Sequence, residues 1–202
     1  MNKENMDQKK IIYFEQPGDK NTEDAINAAY ERAKEGGIKH VVVATHRGNT
    51  ALKVAEKFKD LGVQIVAVTV AASTKQENID EWNKNLPKPE KLGVKTHRGI
   101  YSFAGIERAI KARWGGAGPA VLMGDTLRVL GEGVKVGVDV SLMAADAGLI
   151  PAGENVMTIA GTSRGMDTCM IVKSTYSSKF FDLAIREIVC KPYTEGIKHE
   201  AR

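Results

Sequence analysis

A polar segment with one arginine and one glycine has the composition of an anion-binding loop. It comprises Thr45, His46, Arg47, Gly48, Asn49 and Thr50. The segment lies between an apolar run that predicts a buried strand and an amphipathic pattern that predicts a helix. Main-chain N–H groups at a helix start lack an intrahelical partner and carry partial positive charge, which favours phosphate. Gly48 permits a close approach of the backbone and Arg47 adds a forked cationic donor, so the segment predicts a phosphate site; the alternative is an ordinary turn capped by Asn49.

A second polar loop lies between two strand-like runs near the end of the chain. It comprises Gly161, Thr162, Ser163, Arg164, Gly165, Met166, Asp167 and Thr168. A plain hairpin needs fewer residues, so the length of the loop indicates that it wraps a ligand; the alternative is a solvated loop. A third polar turn ends at Asn21 and Thr22, which either line the same site or cap the helix that follows.

The second loop also contains the pattern Gly161-x-Ser163-x-Gly165, which is typical of a hydrolase nucleophile elbow. Asp182 and His199 follow in the order that such an enzyme requires. The elbow needs a helix directly after the serine, whereas a strand pattern follows here. A serine hydrolase using Ser163 is therefore the weakest of the functional alternatives.

Other chemistries have little support in the sequence. The histidines show no metal-ligand spacing, so we expect no metal site. The net charge is +4, and the basic residues are interleaved with acidic ones, which suits an anionic small-molecule ligand better than nucleic acid or a membrane. Cys169 and Cys190 lie in apolar runs and predict buried free thiols. With no signal-peptide pattern, we expect a cytoplasmic protein.

The elements that must position these loops alternate in the first half of the chain. Apolar runs at 11–14, 40–45 and 64–70 predict strands, and the patterns between them predict helices that end near Gly36 and Gly62. This alternation indicates a parallel sheet. The runs at 156–160 and 169–173 are too close for a crossover helix, so they predict an antiparallel pair.

The predicted fold class is therefore α/β: a three-layer sandwich with a mostly parallel, mixed sheet. We expect one domain over residues 1–202, with loose ends at 1–9 and 194–202. Ser102 predicts the start of a helix that carries Ile106 and Ile110. An exposed edge of such a sheet favours a homo-oligomer.

Two blocks of the sequence resemble the C-terminal α/β domain of pyruvate kinase. One is Thr22–Thr69, with the run Val-Val-Val-Ala-Thr-His-Arg-Gly-Asn-Thr, and the other is Ala147–Thr168, with Ile-Ala-Gly-Thr-Ser-Arg-Gly-Met-Asp-Thr. The resemblance implies a pyruvate kinase C-terminal domain-like fold. In pyruvate kinases this domain holds a sugar bisphosphate, with one phosphate in the loop that matches Thr45–Thr50. The catalytic barrel of ~250 residues has no counterpart here, so we expect no pyruvate kinase activity.

The chain looks most similar to stand-alone archaeal and bacterial proteins of this type, in which the pocket holds FMN. The resemblance therefore implies a flavoprotein of unknown reaction, for which a flavin-dependent oxidoreductase is the enzyme class it suggests. It implies that the flavin phosphate contacts Thr45, Arg47, Gly48, Asn49 and Thr50. The flavin ring would then lie near Thr69, Val70 and the 161–168 loop. The alternative is a sensor or regulatory module for a sugar phosphate or a nucleotide.

Overall fold

A computed structural model describes residues 8–193 of the chain. Its first half contains β1 (Ile12–Phe14), α1 (Thr22–Lys34), β2 (His40–Ala44), α2 (Asn49–Phe58), β3 (Gln64–Val70), α3 (Gln76–Asn85), α4 (Pro87–Lys91) and β4 (Lys95–Gly99). The second half contains α5 (Ile106–Trp114), α6 (Pro119–Arg128), α7 (Glu132–Asp146), β5 (Asn155–Ala160), β6 (Thr168–Lys173) and β7 (Ala184–Pro192). Short 3-10 helices lie at Asp19–Asn21 and Ser177–Asp182.

The strands form one seven-stranded sheet in the order β1-β7-β6-β5-β2-β3-β4. The pairs β2–β3, β2–β5, β3–β4 and β1–β7 are parallel, and β6 is antiparallel to both of its neighbours. Every strand except β6 therefore points the same way, which confirms the mostly parallel, mixed sheet. Because β2 and β5 are parallel neighbours, the loops that follow them leave the sheet at the same edge.

Side chains of successive strand residues point to opposite faces, and the sequence uses both faces for apolar packing. Val41 and Val43 belong to a core with helices α1 and α2, whereas Val42 belongs to a second core with helix α7. All three valines are fully buried. Helices on both faces of a sheet make the predicted three layers.

Helix α7 packs on the face of the sheet that contains Val42, and it is mostly buried. Gly137 lets the helix approach β5 closely, because a Cβ there would stand 2.9 Å from Thr158 Oγ1. Most of its residues from Gly133 to Ala145 are buried. The sequence of α7 therefore combines small residues toward the sheet with Lys135 and Asp139, whose charges must be matched inside the protein.

Two local predictions were wrong. Asn21 precedes α1, but its side chain does not cap the helix; its amide donates to Gln16 O at 2.7 Å. Helix α5 starts at Ile106, with Gly105 in the cap position three residues after Ser102, because Gly105 has φ 60° and breaks the helical path. Of the predicted loose ends, residues 1–7 and 194–202 lie outside the described residues, and Lys9 bonds to Glu35 at 2.8 Å.

Candidate functional site

The three polar segments meet at one edge of the sheet. The 45–50 loop follows β2, the 161–168 loop follows β5, and the turn at 17–21 follows β1. All three strands run in the same direction, so each segment emerges at the carboxyl edge. In open α/β sheets this edge is where ligands bind, next to the point where neighbouring strands send their connections to opposite faces.

The 45–50 loop is built around Gly48. Its φ of 85° is the left-handed conformation that glycine adopts without strain. The Gly48 N–H donates to Thr45 Oγ1 at 3.0 Å, which closes a tight turn immediately before α2. No side chain within residues 8–193 caps α2, so its first N–H groups are directed toward the loop edge. The turn therefore presents main-chain donors at the position where the sequence predicted them.

Arg47 is held by α3. Its guanidinium donates to Asn78 Oδ1 at 2.9 Å, Glu77 Oε1 at 2.9 Å and Glu81 Oε1 at 3.2 Å. The Arg47 carbonyl also accepts from Asn85 Nδ2 at 2.8 Å. With three acceptors already around it, this arginine fixes the loop against α3, and its forked donor is directed at protein groups.

The His46 side chain contacts Tyr101, which lies in the segment between β4 and α5. Its Nε2 lies 3.3 Å from the Tyr101 hydroxyl, and its carbonyl accepts from Thr69 Oγ1 at 3.3 Å. Desolvation, followed by the positive charge of Arg47, lowers the pKa of His46 below its usual range. The imidazole is therefore mostly neutral at pH 7. The Thr69 hydroxyl positions the loop by donating to the main-chain carbonyl of His46. Val70 lies half-buried where β3 ends.

Asp167 organises the 161–168 loop from inside. Its side chain is fully buried, and Oδ2 accepts the N–H groups of Gly18 at 2.9 Å and Thr162 at 3.1 Å. Its Oδ1 accepts from Thr168 Oγ1 at 2.8 Å. The carboxylate thus joins the loop to the turn after β1, and Thr168 is used within this network.

Gly165 and Thr22 form the closest contact between that loop and the start of α1. The Met166 N–H donates to Thr22 Oγ1 at 3.0 Å, and the same hydroxyl donates to Asp19 O at 2.6 Å. A Cβ on Gly165 would stand 2.4 Å from both Asp19 Cα and Thr22 Oγ1. Only glycine fits this contact, where φ is also positive at 71°.

Two open hollows adjoin this contact. The larger, of about 490 Å³, is lined by Asp19, Lys20, Thr22, Glu23, Thr50, Lys53 and Gly165. The smaller, of about 340 Å³, is lined by Pro17, Gly18, Asp19, Thr162, Ser163 and Arg164. Asp19 borders both hollows, and we call the two together the edge groove. Ser163 and Arg164 are exposed at its rim, and Ser163 has φ 67°.

The edge groove brings together part of the predicted site. Thr22 and Thr50 line it together with Thr162, Ser163, Arg164 and Gly165 of the 161–168 loop. The side chains of His46, Arg47 and Thr69 bond elsewhere, and Asn21 contributes an internal hydrogen bond. Thr45 also bonds internally. As for the hydrolase alternative, a strand begins at Thr168, five residues after Ser163, and His199 lies outside the described residues.

Two charged groove residues, Glu23 and Lys53, were not predicted from the sequence. Lys53 follows Thr50 by three residues on α2, so helical periodicity places both on one face, and this spacing was the available signal. Lys53 Nζ bonds to Glu23 Oε1 at 2.5 Å across α1 and α2. A positive side chain therefore stands beside the uncapped start of α2.

A buried charged pair on the α7 side of the sheet was also not predicted from the sequence. Lys135 and Asp139 form an ion pair and are 5% and 0% exposed. Asp139 Oδ1 also accepts the Phe103 N–H at 3.3 Å, and the Lys135 ammonium lies 4.7 Å from the centre of the Tyr101 ring. The pair thereby fixes residues 101–103, and through Tyr101 it reaches His46.

Within residues 8–193, no group of three or more His, Cys, Asp or Glu side chains is arranged to hold a metal ion. In the same range, no helix is both long and apolar enough to cross a membrane. Cys169 and Cys190 are buried free thiols, as predicted, and burial raises the pKa of both.

Two solved structures are similar to this chain at low sequence identity. A pyruvate kinase from Cryptosporidium parvum is 20% identical, with 76% of this chain and 23% of that chain covered and a TM-score of 0.40. The NH3-dependent NAD synthetase of Campylobacter jejuni is 17% identical, with 71% and 56% covered and a TM-score of 0.39. The present chain thus spans about a quarter of the pyruvate kinase chain that it matches.

The sheet order and the edge groove define an α/β protein of the doubly wound kind, with loops gathered at the carboxyl edge. The family model "pyruvate kinase, alpha/beta domain" matches residues 23–172, which is most of the chain. The protein therefore belongs to the pyruvate kinase alpha/beta domain family. The matched range includes α2, α7, β5 and all of β6 except its last residue.

Proposed function

We propose that this protein binds a phosphorylated small molecule in the edge groove, with the phosphate against the first turn of α2. The observation that carries the proposal is the convergence of Thr50, Lys53 and Gly165 on one open hollow at an uncapped helix start. Main-chain N–H groups and a neighbouring ammonium are the donors that phosphate sites use. Hollows of this size suit small ligands, which occupy about 300–1,000 Å³.

The cation in this proposal is Lys53, in place of Arg47. Arg47 has three acceptors on α3 and would have to leave them to reach a ligand. Lys53 has one exposed carboxylate partner, Glu23, and exposed pairs contribute little to stability, so the ammonium can turn to an anion at low cost. Arg164, exposed at the rim, offers a second cation for the distal part of the ligand.

FMN is the specific ligand that we propose. The groove residues fit its phosphate and its polar ribityl chain, because the lining offers hydroxyl, ammonium and main-chain groups. Thr162, Ser163 and Arg164 would border the flavin ring. FMN, when bound, supplies redox chemistry, and the protein binds and orients it. The lining contains no aromatic side chain, so most of the affinity should come from the phosphate end.

The test is a titration of the full chain with FMN, followed by quenching of flavin fluorescence, with riboflavin as the ligand that lacks the phosphate. We expect FMN to bind and riboflavin to bind at least about tenfold more weakly, equivalent to ~1.4 kcal/mol. Equal affinity for the two flavins would contradict a phosphate site. If FMN does not bind but sugar phosphates or nucleotides raise the melting temperature, the phosphate site is retained and its ligand is a sugar phosphate or a nucleotide.

Matched lysine variants locate the phosphate. Lys53→Met removes the groove cation, and Lys57→Met removes a lysine one turn further along α2, where its ammonium lies 4.9 Å from the Tyr30 ring centre. We expect Lys53→Met to weaken FMN binding about tenfold and Lys57→Met to leave it unchanged. Glu23→Gln frees Lys53 and should tighten binding. Equal effects of the two lysine variants would exclude Lys53 from the site.

A further inference from the structure

Among the described residues, Asp19 alone lines both hollows of the edge groove. A ligand that extends from the first turn of α2 into the smaller hollow therefore passes beside it. The Asp19 side chain is exposed, and within residues 8–193 its carboxylate takes part in no hydrogen bond or ion pair. Both carboxylate oxygens are therefore available to accept hydrogen bonds from a ligand.

The backbone of Asp19 is held in place although its carboxylate is free. Its carbonyl accepts from Thr22 Oγ1 at 2.6 Å, and the N–H of the preceding Gly18 donates to Asp167 Oδ2 at 2.9 Å. A Cβ on Gly165 would stand 2.4 Å from Asp19 Cα, so the loop after β5 packs directly against this residue. Because the backbone is already ordered, a ligand that binds the carboxylate loses little free energy in fixing it.

The smaller hollow has few main-chain donors left for a phosphate. The N–H groups of Gly18 and Thr162 donate to Asp167, and the N–H of Arg164 donates to Thr162 O at 2.8 Å. Pro17, which also lines this hollow, has no N–H. Phosphate sites commonly use several free main-chain N–H groups, as the first turn of α2 offers them. The smaller hollow instead offers hydroxyl groups, one guanidinium and one carboxylate, which suit a second phosphate poorly.

The charges of the edge groove match a single phosphate. Its lining contains three cations, Lys20, Lys53 and Arg164, and two carboxylates, Asp19 and Glu23, which leaves an excess of one positive charge. A phosphate monoester carries about −1.5 to −2 charges at pH 7, so one such group already neutralises this excess. A second phosphate in the smaller hollow would meet the Asp19 carboxylate, and like charges brought together are a means by which binding sites reject a ligand.

We propose that Asp19 selects ligands with one phosphate followed by a hydroxylated chain, and rejects ligands that carry a second phosphate at the far end. This proposal rests on the proposed function, which places the first phosphate at α2. The Asp19 carboxylate accepts hydrogen bonds from hydroxyl groups of the chain, because an ionised carboxylate is an acceptor only. The ligand class is therefore the monophosphate of a sugar or polyol, which includes the ribityl phosphate of FMN and excludes sugar bisphosphates.

Calorimetric titration of the full chain with fructose 6-phosphate and fructose 1,6-bisphosphate tests the proposal, since the two ligands differ by one phosphate. We expect the monophosphate to bind at least about tenfold more tightly, and Asp19→Asn to reduce that ratio at least about fivefold by removing the repulsion. Asp24→Asn is the matched control, because Asp24 is exposed in the first turn of α1 and lines neither hollow. It should leave the ratio unchanged.

The outcomes separate this proposal from the phosphate site itself. If the wild-type chain binds the bisphosphate as tightly as the monophosphate, or if Asp19→Asn and Asp24→Asn have equal effects, the selectivity of Asp19 is overturned and the phosphate site remains.

If FMN binds but neither sugar phosphate does, Asp19→Asn should weaken FMN binding at least about threefold, because it removes a charged acceptor of the ribityl hydroxyls. An unchanged affinity for FMN would then overturn the proposal. If neither FMN nor a sugar phosphate binds to the wild-type chain, the proposed function fails and the selectivity fails with it.

Discussion

Asp167 Oδ2 accepts the main-chain N–H of Gly18 at 2.9 Å, although 149 positions separate the two residues in the sequence. The same oxygen accepts the Thr162 N–H at 3.1 Å. One buried carboxylate therefore holds together the two segments that border the smaller hollow of the edge groove. Hydrogen bonds from neutral donors to a buried charged acceptor are among the stronger ones in proteins.

Removal of this carboxylate should loosen the groove. Asp167→Ala leaves the Gly18 and Thr162 N–H groups without their acceptor, and we expect the free energy of unfolding to fall by about 2–4 kcal/mol. Chemical denaturation followed by circular dichroism measures the change. Asp182→Ala, at an exposed position, is the control and should cost less than about 0.5 kcal/mol. Similar losses in the two variants would show that Asp167 does not organise the loops.

Gly165→Ala should separate the 161–168 loop from α1. The added Cβ would stand 2.4 Å from Asp19 Cα, so one of the two segments must move. Gly148→Ala is the matched control, because its φ of 68° is also positive but a Cβ there meets no described atom within 4 Å. We expect the control to cost about 1 kcal/mol and Gly165→Ala about 1–3 kcal/mol more. Equal melting temperatures for the two variants would rule out the steric contact.

The sequence was sufficient to predict the sheet and the loop edge. Alternating apolar runs predicted the first three strands and their parallel sheet, and the short spacing of β5 and β6 predicted their antiparallel pairing. The pairing of β2 with β5 was not among the predictions. The sequence did not indicate which groups individual side chains would bond to. Arg47 has the residue type of a phosphate ligand, yet it binds Glu77 and Glu81, because the position of α3 beside the loop depends on tertiary packing that periodicity does not report.

The Lys135–Asp139 pair gives a prediction with a defined pH dependence. Lys135→Met leaves the Asp139 carboxylate buried without its cation, and we expect a loss of about 3–5 kcal/mol at pH 7. Burial already raises the pKa of Asp139 above its usual value. In the variant the folded protein binds this proton still more tightly than the unfolded chain does. The loss should therefore shrink as the pH falls through the raised pKa.

The control for that prediction keeps the shape of the site and removes the charge. Lys135→Met with Asp139→Asn leaves an oxygen that can accept the Phe103 N–H, and no ion remains. We expect this double variant to recover most of the loss and to show no matching pH dependence. A Lys135→Met variant whose stability deficit is the same at pH 5 and pH 7 would contradict a buried, uncompensated carboxylate.

His46 should titrate below the usual range for histidine. Desolvation is the larger cause of its lowered pKa, and the charge of Arg47 is the smaller one, so Arg47→Gln should raise the pKa only part of the way to about 6.5. Histidine side-chain NMR over a pH series measures both values. Since the folded pKa is below the unfolded one, this histidine makes stability decrease as the pH falls through about 6.5. A pKa at or above 6.5 would contradict the partly desolvated, Tyr101-bonded imidazole.

Helix α5 shows a second reason why the sequence alone is not sufficient. Ile106, Ile110 and Trp114 predict an amphipathic helix correctly, but the pattern does not say which body covers the apolar face. The sequence alone pointed to an exposed sheet edge as the place for self-association.

The central claim, that a phosphate lies against the first turn of α2, is tested most directly by amide NMR of the full chain during a titration with FMN. We predict that the amide signals of Gly48, Asn49, Thr50 and Gly165 shift most, that inorganic phosphate shifts the first three in the same direction, and that riboflavin leaves them in place. Largest shifts elsewhere in the chain, or identical responses to FMN and riboflavin, would contradict the claim.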